Sequence, residues 1–147
     1  MTGHGLNECE AVELEDGSVM LNSRNHGVNE FHRGVSISKD GGETFSSFRR
    51  DPVLLEPRCQ ASIRRYRWAE GHKPGVILFA NPAWQWRTFL MLRISRDDGK
   101  TWPEAKIVYP NAAAYCDIAV LPDGRIAVLF ERDNYKAIDL AILPAMD

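Results

Sequence analysis

Two eight-residue elements, SKDGGETF at Ser38–Phe45 and SRDDGKTW at Ser95–Trp102, share the pattern Ser-x-Asp-x-Gly-x-Thr-aromatic, offset by 57 residues. Recurrence at a fixed offset is the mark of a repeat architecture and narrows the folds open to the chain more than any bulk property. Within each element the Asp and Gly residues read as a tight turn, with the aspartate accepting amide and hydroxyl hydrogen bonds and the aromatic ring packing between sheets. A calcium loop of the EF type needs alternating oxygen ligands, a glycine at the sixth place and a glutamate at the twelfth, and neither element provides them. No metal and no cofactor are expected.

The repeat extends beyond these elements. Anchored on Cys9, Cys59 and Cys116, the chain reads NECEAVELEDGSVMLNSRN from Asn7, PRCQASIRRYRWAEGHKPGVILFANP from Pro57 and AYCDIAVLPDGRIAVLFERDN from Ala114. Each is a cysteine, an apolar-rich run, a turn and a second run. Asp16-Gly17 and Asp123-Gly124 lie between β-patterned runs and signal hairpins. Third runs follow in RGVSIS and TFLMLRIS, then the eight-residue elements, then short fourth runs in SSFRR and AKIVYP; YKAIDLAIL gives the last unit a third run and no fourth. Four-stranded antiparallel units of about 50 residues are the pattern of propeller blades. The expected fold is all-β, a partial six-bladed β-propeller of about three blades, at about 7–52, 57–110 and 114–147.

Composition excludes little else. The 147 residues are 44% hydrophobic and 26% charged with a formal net charge of -2, which suits a globular domain and gives no electrostatic reason for a nucleic-acid or acidic-membrane partner. No run reaches the ~18 apolar residues that span a bilayer, and the first residues show no signal-peptide pattern, so localisation is left open. Three widely spaced cysteines without a Cys-x-x-Cys pair do not suggest a disulfide framework or zinc site.

Matching positions at the strand ends carry chemistry-bearing residues. Glu8 and Tyr115 each precede their Asp-Gly turn by eight residues, and Arg24 and Glu131 each follow sixteen residues later. In a propeller such positions in different blades converge near the axis. Taken alone, Glu8 and Arg24 also read as a surface ion pair and Glu131 as a solvated strand-end charge.

The eight-residue elements resemble the Asp-boxes of the sialidase (neuraminidase) superfamily of six-bladed propellers. NECEAVELEDGSVMLNSRN resembles the segment that carries that family's catalytic glutamate and one arginine of its carboxylate-binding triad, here Glu8 and Arg24. NPAWQWR resembles the segment of another triad arginine, here Arg87, with Arg93 nearby as a rival; AAAYCD resembles the nucleophilic tyrosine segment, here Tyr115. FERDNY resembles the segment whose glutamate steadies the remaining arginine, here Glu131, and Trp84 and Trp86 beside Arg87 are candidates for sugar contact.

The resemblance implies a retaining exo-α-sialidase acting on sialylated glycans. The family's first arginine, in an R-I-P-type motif, and its aspartate acid/base have no match here, so the chain alone is expected to lack appreciable activity and to be the C-terminal half of a larger propeller. The alternatives are a non-catalytic carbohydrate-binding or interaction propeller, and a homodimer in which two three-unit halves close one ring.

Overall fold

The computed structural model describes residues 5–27 and 31–147, and among them there is no helix. Ten strands follow one another: β1 (Leu6–Glu13), β2 (Val19–Asn25), β3 (His32–Ser38), β4 (Arg49–Leu55), β5 (Ser62–Arg67), β6 (Val76–Trp84), β7 (Thr88–Ser95), β8 (Glu104–Val120), β9 (Ile126–Arg132) and β10 (Ala137–Leu143). They form two antiparallel meanders, a four-stranded sheet in the order β1-β2-β3-β4 and a six-stranded sheet in the order β10-β9-β8-β7-β6-β5. This is the all-β, partial-propeller architecture that the repeat implies.

Six strands share one sheet because β8 serves two neighbours in turn. Its residues 104–112 pair with β7, and its residues 113–120 pair with β9. Pro110, which has no N–H to give to a ladder, lies near this change of partner, where a missing donor costs least. β4 also departs from the sequence reading, which places the fourth run of the first unit at SSFRR. The strand begins at Arg49, opposite Val35, and in the bulge that follows the buried Asp51 accepts the amides of Val53 (2.9 Å) and Leu54 (3.1 Å), with the Leu54 side chain fully buried.

The turns at one end of the strands repeat in atomic detail. In both Asp-Gly hairpins the residue after the glycine donates its amide to the turn aspartate: Ser18 N to Asp16 Oδ1 at 3.0 Å and Arg125 N to Asp123 Oδ1 at 3.1 Å. In the two eight-residue elements, Ser38 and Ser95 hydroxyls donate to Asp40 and Asp97, while Thr44 and Thr101 donate amide and hydroxyl to the same carboxylates. The aspartate oxygens are thus occupied by the turn itself. Trp102 closes the second element at 5% exposure, its ring centroid 5.7 Å from that of Phe79.

Two apolar seams hold the sheets together. Val12, Met20 and Val35 of the first sheet meet Ile63, Ile77 and Phe79 of the second, and within the second Leu78, Leu90 and Leu92 meet Ile118, Val128 and Phe130. The seam between the sheets is also keyed by polar contacts. Asp98 leaves its turn, with φ 59°, to accept the amide of Glu15 (3.1 Å) and Arg65 Nη2 (2.9 Å). At the opposite end Arg33 and Glu56, both without exposure, form an ion pair at 2.6 Å. Glu56 also accepts the amide of Asn25 at 2.7 Å, and Arg33 donates to Asn22 Oδ1 and to the carbonyl of Cys59.

Removing one member of a buried pair strands the other charge, at a cost of about 3–5 kcal/mol. Glu56→Ala is therefore expected to lower unfolding stability by about that amount in urea titrations, and a loss below about 1 kcal/mol would contradict the pair's role in the seam. The turn carboxylates give a second expectation. Hydrogen bonds from Thr44, then Ser38, push the Asp40 carboxyl from 3.8 down to about 2. Because the folded value is depressed, its stabilisation is present above about pH 4 and is lost as pH falls toward 2. The thermal midpoint of Asp40→Asn should lie below that of the unaltered chain at pH 7, with the gap closing by pH 2.

Candidate active site

Strand topology brings the beginning of β1, the end of β2, the 56–60 link, the 84–88 loop, residues 113–115 and the β9–β10 loop to one end of the sheets. The Asp-Gly hairpins and eight-residue elements lie at the other. Glu8 and Tyr115 reach the first end through the same device. The β1–β2 register slips between Asn7 and Cys9, and the β8–β9 register slips between Ala113 and Cys116, so each residue stands in a bulge that re-aims its side chain. Asn7 pairs with Arg24 across the same ladder, which explains the sixteen-residue spacing of Glu8 and Arg24.

These three side chains form one hydrogen-bonded cluster. The Tyr115 hydroxyl donates to Glu8 Oε1, and Arg24 Nη1 donates to Glu8 Oε2 at 2.5 Å and to the Tyr115 oxygen at 3.3 Å. Tyr115 is 37% exposed and Arg24 9%, so the cluster opens to solvent over a buried cation. Arg24 Nε is buried with no hydrogen-bond partner, and Nη2 stands 3.3 Å from His26 Nε2. Burial opposes ionisation of Glu8, but the hydrogen bonds from Tyr115 and Arg24 outweigh it and hold the carboxyl below its ordinary value. The hydrogen bond to Glu8, followed by burial, raises the Tyr115 phenol, with Arg24 pulling the other way. The result is a neutral phenol whose proton already points at a carboxylate.

Arg87 joins the cluster from the 84–88 loop, its guanidinium 5.9 Å from the centroid of the Tyr115 ring. Nη1 donates to the Tyr135 hydroxyl at 2.6 Å and Nη2 to the Arg58 carbonyl at 2.9 Å, so two other segments fix its plane. Arg93, the rival position, lies inside β7 opposite Phe79 and Ala105, away from this end. Glu131 accepts the Tyr115 amide at 3.1 Å, bracing the bulge. Trp86 is 89% exposed beside Arg87, and Trp84, at 58%, is exposed too.

Several contributors carry no signal in the sequence. Gln60 donates to and accepts from the backbone of Cys116, pinning the strand just after Tyr115. Tyr135 and the Arg58 carbonyl steady Arg87 across 48 and 29 residues, separations that no local pattern predicts. Burial pushes the Cys59 and Cys116 thiols up to about 11 and about 12, which leaves them inert beneath the cluster.

Backbone strain separates the two ends. At the hairpin end, left-handed positions fall on Gly17, Gly41, Gly42, Gly71, Gly99 and Gly124, with Asp98 the one described residue that bears a side chain. At the cluster end, Glu8, Arg58, Trp86, Arg87, Phe89, Asp133, Asn134 and Tyr135 all have φ between 39° and 66°. Such residues cost free energy that glycine would spare, and they gather where side chains are required.

The model of the BNR repeat-like domain matches residues 1–128. The chain belongs to this family, within the sialidase superfamily. A sialidase of Micromonospora viridifaciens is 38% identical over 133 residues, covering 88% of this chain and 20% of its own. A sialidase of Vibrio cholerae is 32% identical over 143 residues, covering 86% and 18%. Among solved structures the Hadza microbial sialidase Hz136 superposes with a TM-score of 0.80 at 23% identity, over 95% of this chain and 27% of that one, a likeness of fold. The chain thus spans about a fifth of the length of the curated relatives it matches.

The hydrogen bond from Tyr115 to Glu8 has a spectroscopic consequence. Ultraviolet titration, taken as the difference between the chain and its Tyr115→Phe variant, should place the Tyr115 phenol above its ordinary 10.0. Glu8→Gln, which removes the negative acceptor, should move that midpoint back down; a midpoint unaffected by Glu8 would contradict the contact.

Proposed function

We propose that the Glu8–Arg24–Tyr115 cluster and Arg87 are the nucleophile, base and carboxylate grip of a retaining exo-α-sialidase site, and that units 7–52, 57–110 and 114–147 are three successive blades around it. The observation that carries this reading is the Tyr115 hydroxyl donating to a carboxylate that Arg24 also grips.

Sialic acid bears a carboxylate on its anomeric carbon, so an Asp or Glu nucleophile would meet like-charge repulsion, whereas a neutral phenol does not. A phenol of pKa ~10 is a poor nucleophile near neutral pH unless a base takes its proton as it attacks. Glu8 stands in that position, and its depressed pKa keeps it ionised. The Tyr115 oxygen forms a bond to the anomeric carbon, the glycosidic C–O bond breaks, and the phenolic proton passes to Glu8. Water then releases the sugar with retained configuration, a scheme known for sialidases with a Tyr nucleophile. Arg24 and Arg87 hold the substrate carboxylate through charge-assisted hydrogen bonds, and Trp86 offers an open ring face beside them.

The departing oxygen needs a proton of its own. Among the described residues at this end, Glu131 braces the Tyr115 amide, while Asp133 pairs with Arg132 and accepts the Tyr109 hydroxyl at 2.7 Å. Neither is a free carboxylic acid, so the 147-residue chain acting alone is inferred to turn over alkyl sialosides poorly. The same gap favours the second reading, a carbohydrate-binding module that holds a sialoside without cleaving it.

A leaving group that needs no proton separates these readings. A 3-fluorosialyl fluoride expels fluoride unaided, and its electron-withdrawing fluorine slows release of the covalent intermediate. Peptide mass spectrometry should find the sugar on Tyr115, with labelling reduced at least ~100-fold in Glu8→Gln and absent in Tyr115→Phe. A chain that binds the sugar and takes no label at Tyr115 is a binding module; labelling elsewhere refutes the assignment of the nucleophile.

A further inference from the structure

Next to the cluster lies a cavity of about 770 Å³ that includes Arg87 but none of Glu8, Arg24 and Tyr115. Phe31, Pro57, Arg58, Trp86, Arg87 and Asn134 line it. It has the size of a small-molecule site, ~300–1,000 Å³. Four of the seven lining residues, Arg58, Trp86, Arg87 and Asn134, adopt left-handed backbone conformations that their side chains disfavour. Strain concentrated around one concavity is characteristic of ligand clamps, where the surrounding structure must over-determine the geometry.

The chemistry of the walls specifies the ligand. Trp86 presents an indole 89% exposed and Phe31 a ring 44% exposed, flat apolar surfaces suited to the C–H face of a sugar. Arg58 and Arg87 add two guanidiniums, and among the described residues neither is ion-paired to a carboxylate. The Arg58 Nη2 donates only a 3.3 Å bond to the Gly27 carbonyl, and its Nε is buried with no hydrogen-bond partner. A guanidinium short of acceptors beside an open indole is arranged for an anionic saccharide.

We propose that this cavity is a second subsite, taking a carboxylated sugar joined to the sialyl residue, with Arg58 binding its carboxylate and Trp86 its ring. The inference rests on the site reading above and deepens it: the substrate is a glycan with two successive acidic sugars. Arg87, between the two compartments, faces the first carboxylate, and Arg58 the second.

Calorimetric titration of the 147-residue chain with an α-linked disialoside and with 3′-sialyllactose tests this. The disialoside should bind about tenfold more tightly, a preference that shrinks with added salt, as a charge-assisted contact requires. Arg58→Asn, a neutral residue that tolerates the left-handed backbone and keeps the carbonyl that bonds Arg87, should abolish the preference. Arg58→Lys, which keeps the charge and loses the fork, should retain part of it, so a folding defect confined to one variant does not decide the matter. Equal affinity for the two sugars in the unaltered chain, or a preference untouched in Arg58→Asn, overturns the second subsite and leaves the first standing. Binding of neither sugar overturns both.

Discussion

The Arg33–Glu56 ion pair ties the first sheet to the link that leads into the second, and sets Arg33 against the Phe79 ring across the seam. Apolar contacts along the seam drive association but are non-directional, and Val12, Met20, Ile63 and Phe79 would remain covered if one sheet slid slightly on the other. A guanidinium fork with no solvent access has no such latitude. Desolvating both charges is costly, and the cost is offset only because their hydrogen-bonding capacity is used: Glu56 takes Arg33 and the Asn25 amide, and Arg33 takes Asn22 and the Cys59 carbonyl. The atoms so fixed are the end of β2, one residue beyond Arg24, and the link that carries Arg58 and Gln60. The pair thus holds the segment beside Arg24 and the link whose Arg58 carbonyl and Gln60 side chain bond Arg87 and Cys116.

The two ends of the sheets resolve the same steric problem differently. Tight reversals demand left-handed backbone. At the hairpin end glycine meets the demand without strain, because no side chain is needed there. At the cluster end the demand falls on Arg, Trp, Glu and Tyr, and the surrounding packing must hold them. Local preference is sacrificed mostly at the end that bears the cluster, the pattern expected when local and global requirements conflict at a site.

The fold was readable in the sequence because its signals are local. The Asp-Gly hairpins and the two Asp-boxes are self-contained turns, and their atomic repetition matches the repetition of letters. Glu8 and Arg24 were accessible for the same reason, since one hairpin ladder sets their spacing. What escaped are contacts between segments with no common ladder: Gln60 against Cys116, Tyr135 against Arg87, and Asp98 of an Asp-box against Glu15. The course of β4 to Leu55 escaped because it passes through a bulge, held by the buried Asp51, that no alternation of residues marks. Nothing in the sequence sets Glu56 and Arg33 apart from the other charged residues, yet their side chains are without exposure, a distinction that only tertiary packing makes.

The unbroken course of β8 has a consequence for cooperativity. A single 17-residue strand hydrogen-bonded to β7 along one stretch and to β9 along the next ties six strands into one unit of opening, since neither half of the ladder can melt without disturbing the other. Among the described residues no backbone ladder crosses from that unit to β1–β4, and the two meet through apolar packing and side-chain bonds. Tyr115 belongs to the larger unit and Glu8 to the smaller, so the hydrogen bond between them spans the boundary between the two sheets.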